Sequence, residues 1–325
     1  LLFSIKPAEE AVINGATPFI RLVGTPRLVV VGSMALDDIR TPFGEVKGAL
    51  GGAATYASVA ASFFTSVGIV AVVGEDFPRE HIRFLRRRGI DTGGVKFAKG
   101  KTFRWSGLYE YDMNQAHTLK TELNVFSKFS PEIPEEFRGA EFVLLGNIDP
   151  EIQMAALRQA KGAKFSALDT MDFWIAGKRK KLVKAMGEVD AVFINDAEAR
   201  QLCRTHNLVK AAKGIMRMGP DFVVIKKGEH GALLFSDGDC FVAPAFPLED
   251  VIDPTGAGDS FAGAVMGWLA KTGDTGERNM RKAVMYGSAI ASYDAEHFGL
   301  NKLKTLTMKD VEDRIRRFRE LTKFE

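Results

Sequence analysis

The sequence predicts an α/β protein: helices cover both faces of a mostly parallel central sheet, and a small β-sheet lid is attached. Three observations predict this. Short β-branched runs alternate with helical patterns along most of the 325 residues, the rhythm of βαβ units. Two segments break the rhythm by alternating polar and apolar residues, the pattern of half-exposed antiparallel strands. Neither an internal repeat nor a low-complexity linker divides the chain.

Residues 1–26 read as an N-terminal arm, lacking the basic start, apolar core and cleavage site of a signal peptide. "RLVVVGSMAL" is a strand closed by Gly32 and Ser33. "ALDDIRTPFGEVKGAL" supplies the first lid strands, at about residues 36–50. Between residues 48 and 74 no residue is charged, which invites a membrane-span reading. Gly51, Gly52 and Gly68 interrupt that run, so a small-residue helix over residues 53–64 and a buried strand "GIVAVVG" are expected instead. "PREHIRFLRRRG" is a helix opened by Pro78 and stopped by Gly89. "GKTFRWSGLYEYDMNQAHTLKTELN" supplies further lid strands, at about residues 101–124. "EFVLLGNID", "KFSALDT", "DAVFIND", "DFVVIKKG" and "GALLFSDG" are core strands, with helices over residues 151–160 and 197–205 among them. The tail is a helix capped by Thr307 and Asp310, with Val311, Ile315 and Phe318 on one face. The basic clusters "RFLRRRG", "GKRKKLVK" and "RIRRFR" read as solvated helix faces.

Composition narrows the function classes. A hydrophobic fraction of 46% supports a sizeable core. The net charge of +3 is scattered, so no nucleic-acid or membrane partner is expected. Cys203 and Cys240 show no metal-ligand spacing and suggest a reducing, cytoplasmic setting.

The chemistry concentrates in "DPTGAGDSFAGA", Asp253 onward. Gly256 and Gly258 permit positive φ and leave room for a ligand. Successive amides around Ala257 can form a concave nest at the start of the following helix, where the dipole is positive. Asp259 stands beside that nest, within reach of a hydroxyl that must lose a proton. A helix cap is the simpler role for this carboxylate. An anion hole with an adjacent base is the equipment for phosphoryl transfer to an alcohol.

This stretch resembles the C-terminal signature of the PfkB/ribokinase family of carbohydrate and nucleoside kinases. Three other places agree in order: "VVVGSMALDD", "GALGGAATYASVAASFF" and "NDAEA". The resemblance runs from about residue 27 to 304 and implies a ribokinase-like three-layer α/β/α fold with a lid. It further implies that Asp259 is the catalytic base, with Gly256, Ala257 and Gly258 as the anion hole. Asp37, with Asp38 as fallback, would hold substrate hydroxyls, and Gly51 and Gly52 would allow close approach. Asn195 and Glu198 would organise Mg²⁺, largely through water. Asp253 aligns with an acid that in some members helps bind a monovalent cation, potassium for example. The nucleotide, ATP, would lie over Thr255, the hairpin carrying Lys227, Gly228 and Gly231, and the loop carrying Phe298 and Gly299. Lid strands of this kind often pair between subunits in the family, so the resemblance leaves a homodimer through the lid open.

The pattern departs from sugar-kinase relatives in "GGAATYA". Ala53 cannot hydrogen-bond a sugar, and Tyr56 offers a ring that could stack on a base or pack in the helix. Asn147 and Asp149 are expected near substrate, and Asp169 and Asp172 near Mg²⁺ or phosphate, with helix capping as the alternative. Arg104, Trp105 and Tyr109 lie in the lid. The favoured reading is an ATP-dependent kinase acting on a sugar or nucleoside. The alternatives are a nucleoside kinase specifically, or a binding module for a nucleotide or sugar phosphate, which would have no need of Asp259. A nicotinamide oxidoreductase and a P-loop kinase are disfavoured because their glycine motifs are absent.

Overall fold

In the computed structural model, which describes residues 24–323, the first strand shows how the sheet is built. β1 (Leu28–Val31) is buried at every position. Leu28 and Val30 enter one core, and Val29 and Val31 enter the other. Side chains alternate along a strand, so an unbroken β-branched run requires cover on both faces. The arm expected over residues 1–26 lies almost wholly outside the described residues.

The chain then makes a hairpin of β2 (Ala35–Thr41) and β3 (Gly44–Gly51), followed by α1 (Ala53–Ala61), β4 (Val67–Gly74), α2 (Arg79–Arg87) and β5 (Ile90–Ala98). A second hairpin follows, β6 (Phe103–Tyr109) and β7 (Ala116–Glu122). The C-terminal half continues with β8 (Phe142–Leu145), α3 (Pro150–Leu157), β9 (Phe165–Asp169), α4 (Asp172–Gly177), α5 (Arg179–Met186), β10 (Ala191–Asn195), α6 (Asp196–Cys203), α7 (Leu208–Met216) and β11 (Phe222–Lys226). It ends with the strands β12 (Ala232–Ser236) and β13 (Asp239–Ala243) and the helices α8 (Ala257–Thr272), α9 (Glu277–Asp294), α10 (Asn301–Thr305) and α11 (Met308–Thr322).

Nine strands form one sheet in the order β13-β12-β11-β10-β9-β8-β1-β4-β5. Its pairs are parallel except β11 with β12 and β12 with β13. The lid is a separate sheet in the order β3-β2-β6-β7. Each lid hairpin is antiparallel, as its alternating pattern predicts, but β2 and β6 pair in parallel. That join links segments far apart in sequence, so local alternation carries no sign of its direction. β5 and β13 were also hidden: β5 carries Gly93 and Gly94, and β13 is a mostly exposed edge strand.

The uncharged run divides as expected. No helix among the described residues is long and apolar enough to cross a membrane. α1 is buried at all nine positions because α8 packs directly on it. A Cβ on Gly263 would lie 2.1 Å from the Ala57 carbonyl oxygen, and one on Gly267 would lie 2.8 Å from Ala61 Cα. Glycine at these two points sets the helix spacing, which in turn fixes where the first turn of α8 sits. At the far end, α11 buttresses the C-terminus of α9: Arg314 stacks 3.6 Å over Tyr293 and bonds Glu296 at 2.8 Å. Gly263→Val should force α1 and α8 apart and cost about 3 kcal/mol or more, at the upper end for overpacking. Urea unfolding measures this, and a midpoint unchanged from the parent protein would contradict the packing described.

Candidate active site

The ends of β9, β10 and β11 lie side by side, and they deliver Asp169, Asn195 and Lys226 to one edge of the sheet. Ligands in parallel sheets bind at this carboxyl edge. α8 begins nearby. Gly256, the residue before its first turn, has φ +82°, a left-handed conformation that suits glycine. A Cβ there would also strike the Tyr56 ring at 2.4 Å. The Ala257 amide donates to Pro254 O in the turn. The amides of Gly256, Gly258 and Asp259 find no acceptor among the described residues. Helix N-termini leave such donors open, and the dipole adds positive potential.

Asp253 holds the nest in shape. Its Oδ1 accepts the Thr255 amide at 2.9 Å, and its Oδ2 accepts the Gly299 amide at 2.8 Å. One buried carboxylate thus ties the turn before α8 to the loop after α9. Burial raises its pKa, and these bonds oppose the rise. Thr255 also donates to the Tyr109 hydroxyl of the lid at 3.3 Å.

Four charged groups gather beside the nest. Lys226 Nζ donates to Asp169 Oδ2 at 2.5 Å. A Cβ on Gly258 would lie 3.2 Å from the same ammonium. Burial pushes Asp259 up to about 7; the Asp169 charge adds to that and Lys226 works against it. Burial likewise pushes Glu198 up to about 8, again aided by Asp169. Burial works against the Lys226 charge, but Asp169, Glu198 and Asp259 together raise its pKa above the usual lysine value. Three carboxylates around one ammonium leave two negative charges unbalanced when all are ionised.

Glu198 and Asn195 form a reciprocal cap on α6. Glu198 accepts the Asn195 amide at 3.0 Å, and Asn195 Oδ1 accepts the Glu198 amide at 2.8 Å. Among the described residues, no three His, Cys, Asp or Glu side chains converge to cage a metal directly.

On the lid side Asp37 is 4% exposed and lies over Gly51, where a Cβ would be 1.8 Å from its Oδ2. Burial pushes Asp37 up to about 8; a backbone bond from Gly52 lowers it, and the Asp253 and Asp259 charges raise it further. Asp37 therefore lies within electrostatic range of the carboxylates on either side of the nest. Asp38 points elsewhere and accepts the Gly48 amide at 2.7 Å. Gly52 has φ +93°, and a Cβ on it would lie 2.5 Å from Ser33 O. Its small size serves chain packing between β1 and α1.

Several of the expected contact residues have partners within the protein, and helix capping and lid pairing, the alternatives open to them, account for most. Tyr56 is 1% exposed and packs behind the nest against Gly256, so its ring does not reach the cleft to stack on a ligand. Asp149 caps α3 through the Glu151 amide and pairs with Lys178 at 2.6 Å, which occupies its carboxylate. Asp172 is exposed and bonds the Phe173 amide in the first turn of α4. Asn147 remains half-buried at the end of β8. Arg104 and Trp105 bond within or beside the lid, to Asp76 and Thr118.

On the nucleotide side, Gly231 lets β12 pass close to the Ala243 carbonyl, 2.1 Å from where a Cβ would sit. Gly228 and Glu229 meet the lid turn: Asn114 Nδ2 donates to Glu229 Oε1 at 2.9 Å. The Phe298 ring lies beside Gly44 at the other lid turn, 3.6 Å from where a Cβ on that glycine would sit. Lys227, the lysine singled out from sequence, reaches only its own hairpin, donating to His230 O at 3.5 Å. Lys226 was missed. Strand alternation was the available signal, since it sends neighbouring side chains to opposite faces.

A three-layer fold with a nest of free amides, an adjacent carboxylate and a lid defines a phosphotransferase acting on a small alcohol. The chain belongs to the pfkB family of carbohydrate kinases, whose model matches residues 26–306, and it is an ATP-dependent kinase of sugars or nucleosides. It is 33% identical over 252 residues to the cytidine kinase of Thermococcus kodakarensis, covering 74% of this chain and 87% of that protein. Its fold matches the Methanocaldococcus jannaschii nucleoside kinase, an archaeal member of the ribokinase family, with a TM-score of 0.71 and 20% identity over 90% and 99% of the two chains. A chain from E. coli assigned as Ribokinase II, solved with ATP and Mg²⁺, matches with a TM-score of 0.72 and 19% identity over 91% and 100%.

The raised carboxyl groups make stability fall with pH. Asp37 and Glu198 titrate near 8 in the folded chain and near 4 when unfolded, at about the ordinary carboxylate values. The folded state binds more protons through that window, so stability is fullest at the acid end and is lost as pH rises. The melting temperature in EDTA without nucleotide should therefore drop between pH 5 and 8.5, less steeply in Asp37→Asn. A curve that rises over that range would contradict the sign.

Proposed function

We propose that this kinase transfers the γ-phosphoryl group of ATP to a hydroxyl of a nucleoside, with Asp259 as general base. The observation that carries this reading is the set of unclaimed amides at Gly256, Gly258 and Asp259 beside the Asp259 carboxyl. A base that titrates near 7 is well matched to take a proton at neutral pH. The substrate hydroxyl loses its proton to Asp259 as its oxygen bonds to phosphorus, and the bond from phosphorus to the ADP oxygen breaks in line. The nest amides receive the charge carried by the phosphoryl oxygens. Asp37, within electrostatic range of the nest, accepts hydrogen bonds from acceptor hydroxyls.

The donor set fits a divalent cation held mostly through water and phosphate oxygens. Asp169, Glu198 and Asp259 around the single Lys226 ammonium leave net negative charge when all are ionised, and no direct three-residue cage exists among the described residues. Mg²⁺, when bound with the nucleotide, supplies charge neutralisation at the phosphates. The nucleoside assignment is supported by the cytidine kinase relative and by the absence of a polar group at Ala53, which is buried.

Asp259→Asn should lower kcat by about 10²–10⁴ while leaving substrate binding near the parent value, because general-base catalysis is lost and the nest is kept. Activity within tenfold of the parent in a coupled ADP-release assay would refute the role. With MgATP analogue present, a nucleoside at 100 times its Kd should stabilise the protein by about 2.7 kcal/mol. A thermal-shift panel in which free sugars stabilise the protein and nucleosides do not would overturn the acceptor assignment.

A further inference from the structure

We propose that Lys226 is a catalytic residue whose ammonium binds an oxygen of the phosphoryl group in flight, completing the anion hole with a full positive charge. This inference rests on the phosphotransfer reading above.

Four observations place it there. Lys226 is the last residue of β11, at the carboxyl edge of the sheet and in register with Asn195. Its Nζ lies so near Gly258 that a Cβ there would be 3.2 Å away, so the ammonium borders the nest itself. Its side chain keeps 16% of its surface open, whereas its partner Asp169 keeps 3%. Among the described residues its ammonium has one acceptor, Asp169, so donors remain for a ligand. A lysine left without function at such a place would be costly, because burying an ammonium requires compensation. Asp169 provides that compensation and also fixes the stem, so the charge is positioned before the nucleotide arrives.

The chemistry suits a lysine. The phosphoryl group carries charge on three equatorial oxygens, and two or three amides at a helix start offer only partial charges. A point charge at the edge of the nest adds to them where water is largely excluded. The ammonium keeps its proton throughout: the proton of the acceptor hydroxyl goes to Asp259, and ADP leaves with the bridging oxygen.

The test compares the parent chain with Lys226→Met, Lys226→Gln and Asp259→Asn, all checked for folding by circular dichroism. Lys226→Met should reduce kcat by about 10²–10³, the effect of losing one anion-hole donor, with the acceptor KM within about threefold. Calorimetry in MgCl₂ supplies a readout independent of turnover. The parent should bind AMP-PNP more tightly than ADP, and Lys226→Met should lose about tenfold of that preference, as expected for a donor that contacts only the γ-phosphate. Lys226→Gln retains a hydrogen bond to Asp169 without the charge; it should lose the same preference and serves if the methionine variant does not fold. An unchanged preference for AMP-PNP, with kcat within threefold of the parent, would overturn the role of Lys226. If Asp259→Asn is inactive in that same case, the phosphotransfer reading stands and only the lysine assignment fails. If Asp259→Asn is fully active, the base assignment fails first.

Discussion

Three backbone amides around the start of α8, those of Gly256, Gly258 and Asp259, have no acceptor among the described residues. A buried amide without a partner is costly. Here the cost is kept down because Gly256, Gly258 and Asp259 are only partly buried, with the left-handed turn at Gly256 leading into the helix. Asp253 holds this turn from behind by taking the Thr255 and Gly299 amides, leaving the forward-facing ones alone. The α1–α8 contact then sets where the helix starts, because Gly263 and Gly267 allow no other spacing. Geometry far from the chemistry therefore determines where an anion can sit.

Electrostatics follows from that geometry. In the proposed mechanism carboxylates serve proton transfer and metal, yet they crowd a site that must also accept a polyanion. Asp169, Glu198 and Asp259 would repel both one another and a nucleotide if nothing offset them. Lys226 supplies one positive charge within the protein. The remaining imbalance, two charges, equals the charge on a divalent cation. Raised carboxyl titration is the protein's alternative way of meeting the same imbalance when the cation is absent.

Much of this was legible in the sequence because the signals were local. The β-branched runs, the capping pair Thr307 and Asp310, and the glycines of "DPTGAGDSF" each act within a few residues, and each appears where expected. The parallel join of β2 to β6 was not legible, since it depends on segments distant in the chain. Tyr56 and Asp149 show a related limit. A residue's type suggested a ligand contact, but the side chain's direction was decided by tertiary packing against Gly256 in one case and by Lys178 in the other. Lys226 was overlooked because its neighbour Lys227 adjoins the conspicuous hairpin glycine. Alternation sends the two side chains apart, and the register of β11 against β10 identifies Lys226 as the one beside Asn195.

The lid rests on more than the acceptor side. Its two turns lie against the two loops expected to hold the nucleotide, Asn114 bonded to Glu229 and Gly44 beside the Phe298 ring, while Tyr109 reaches Thr255 beside the nest. If those loops hold the nucleotide, raising the lid from the acceptor side also breaks contacts beside the nucleotide's seat, so the two sites would be mechanically tied.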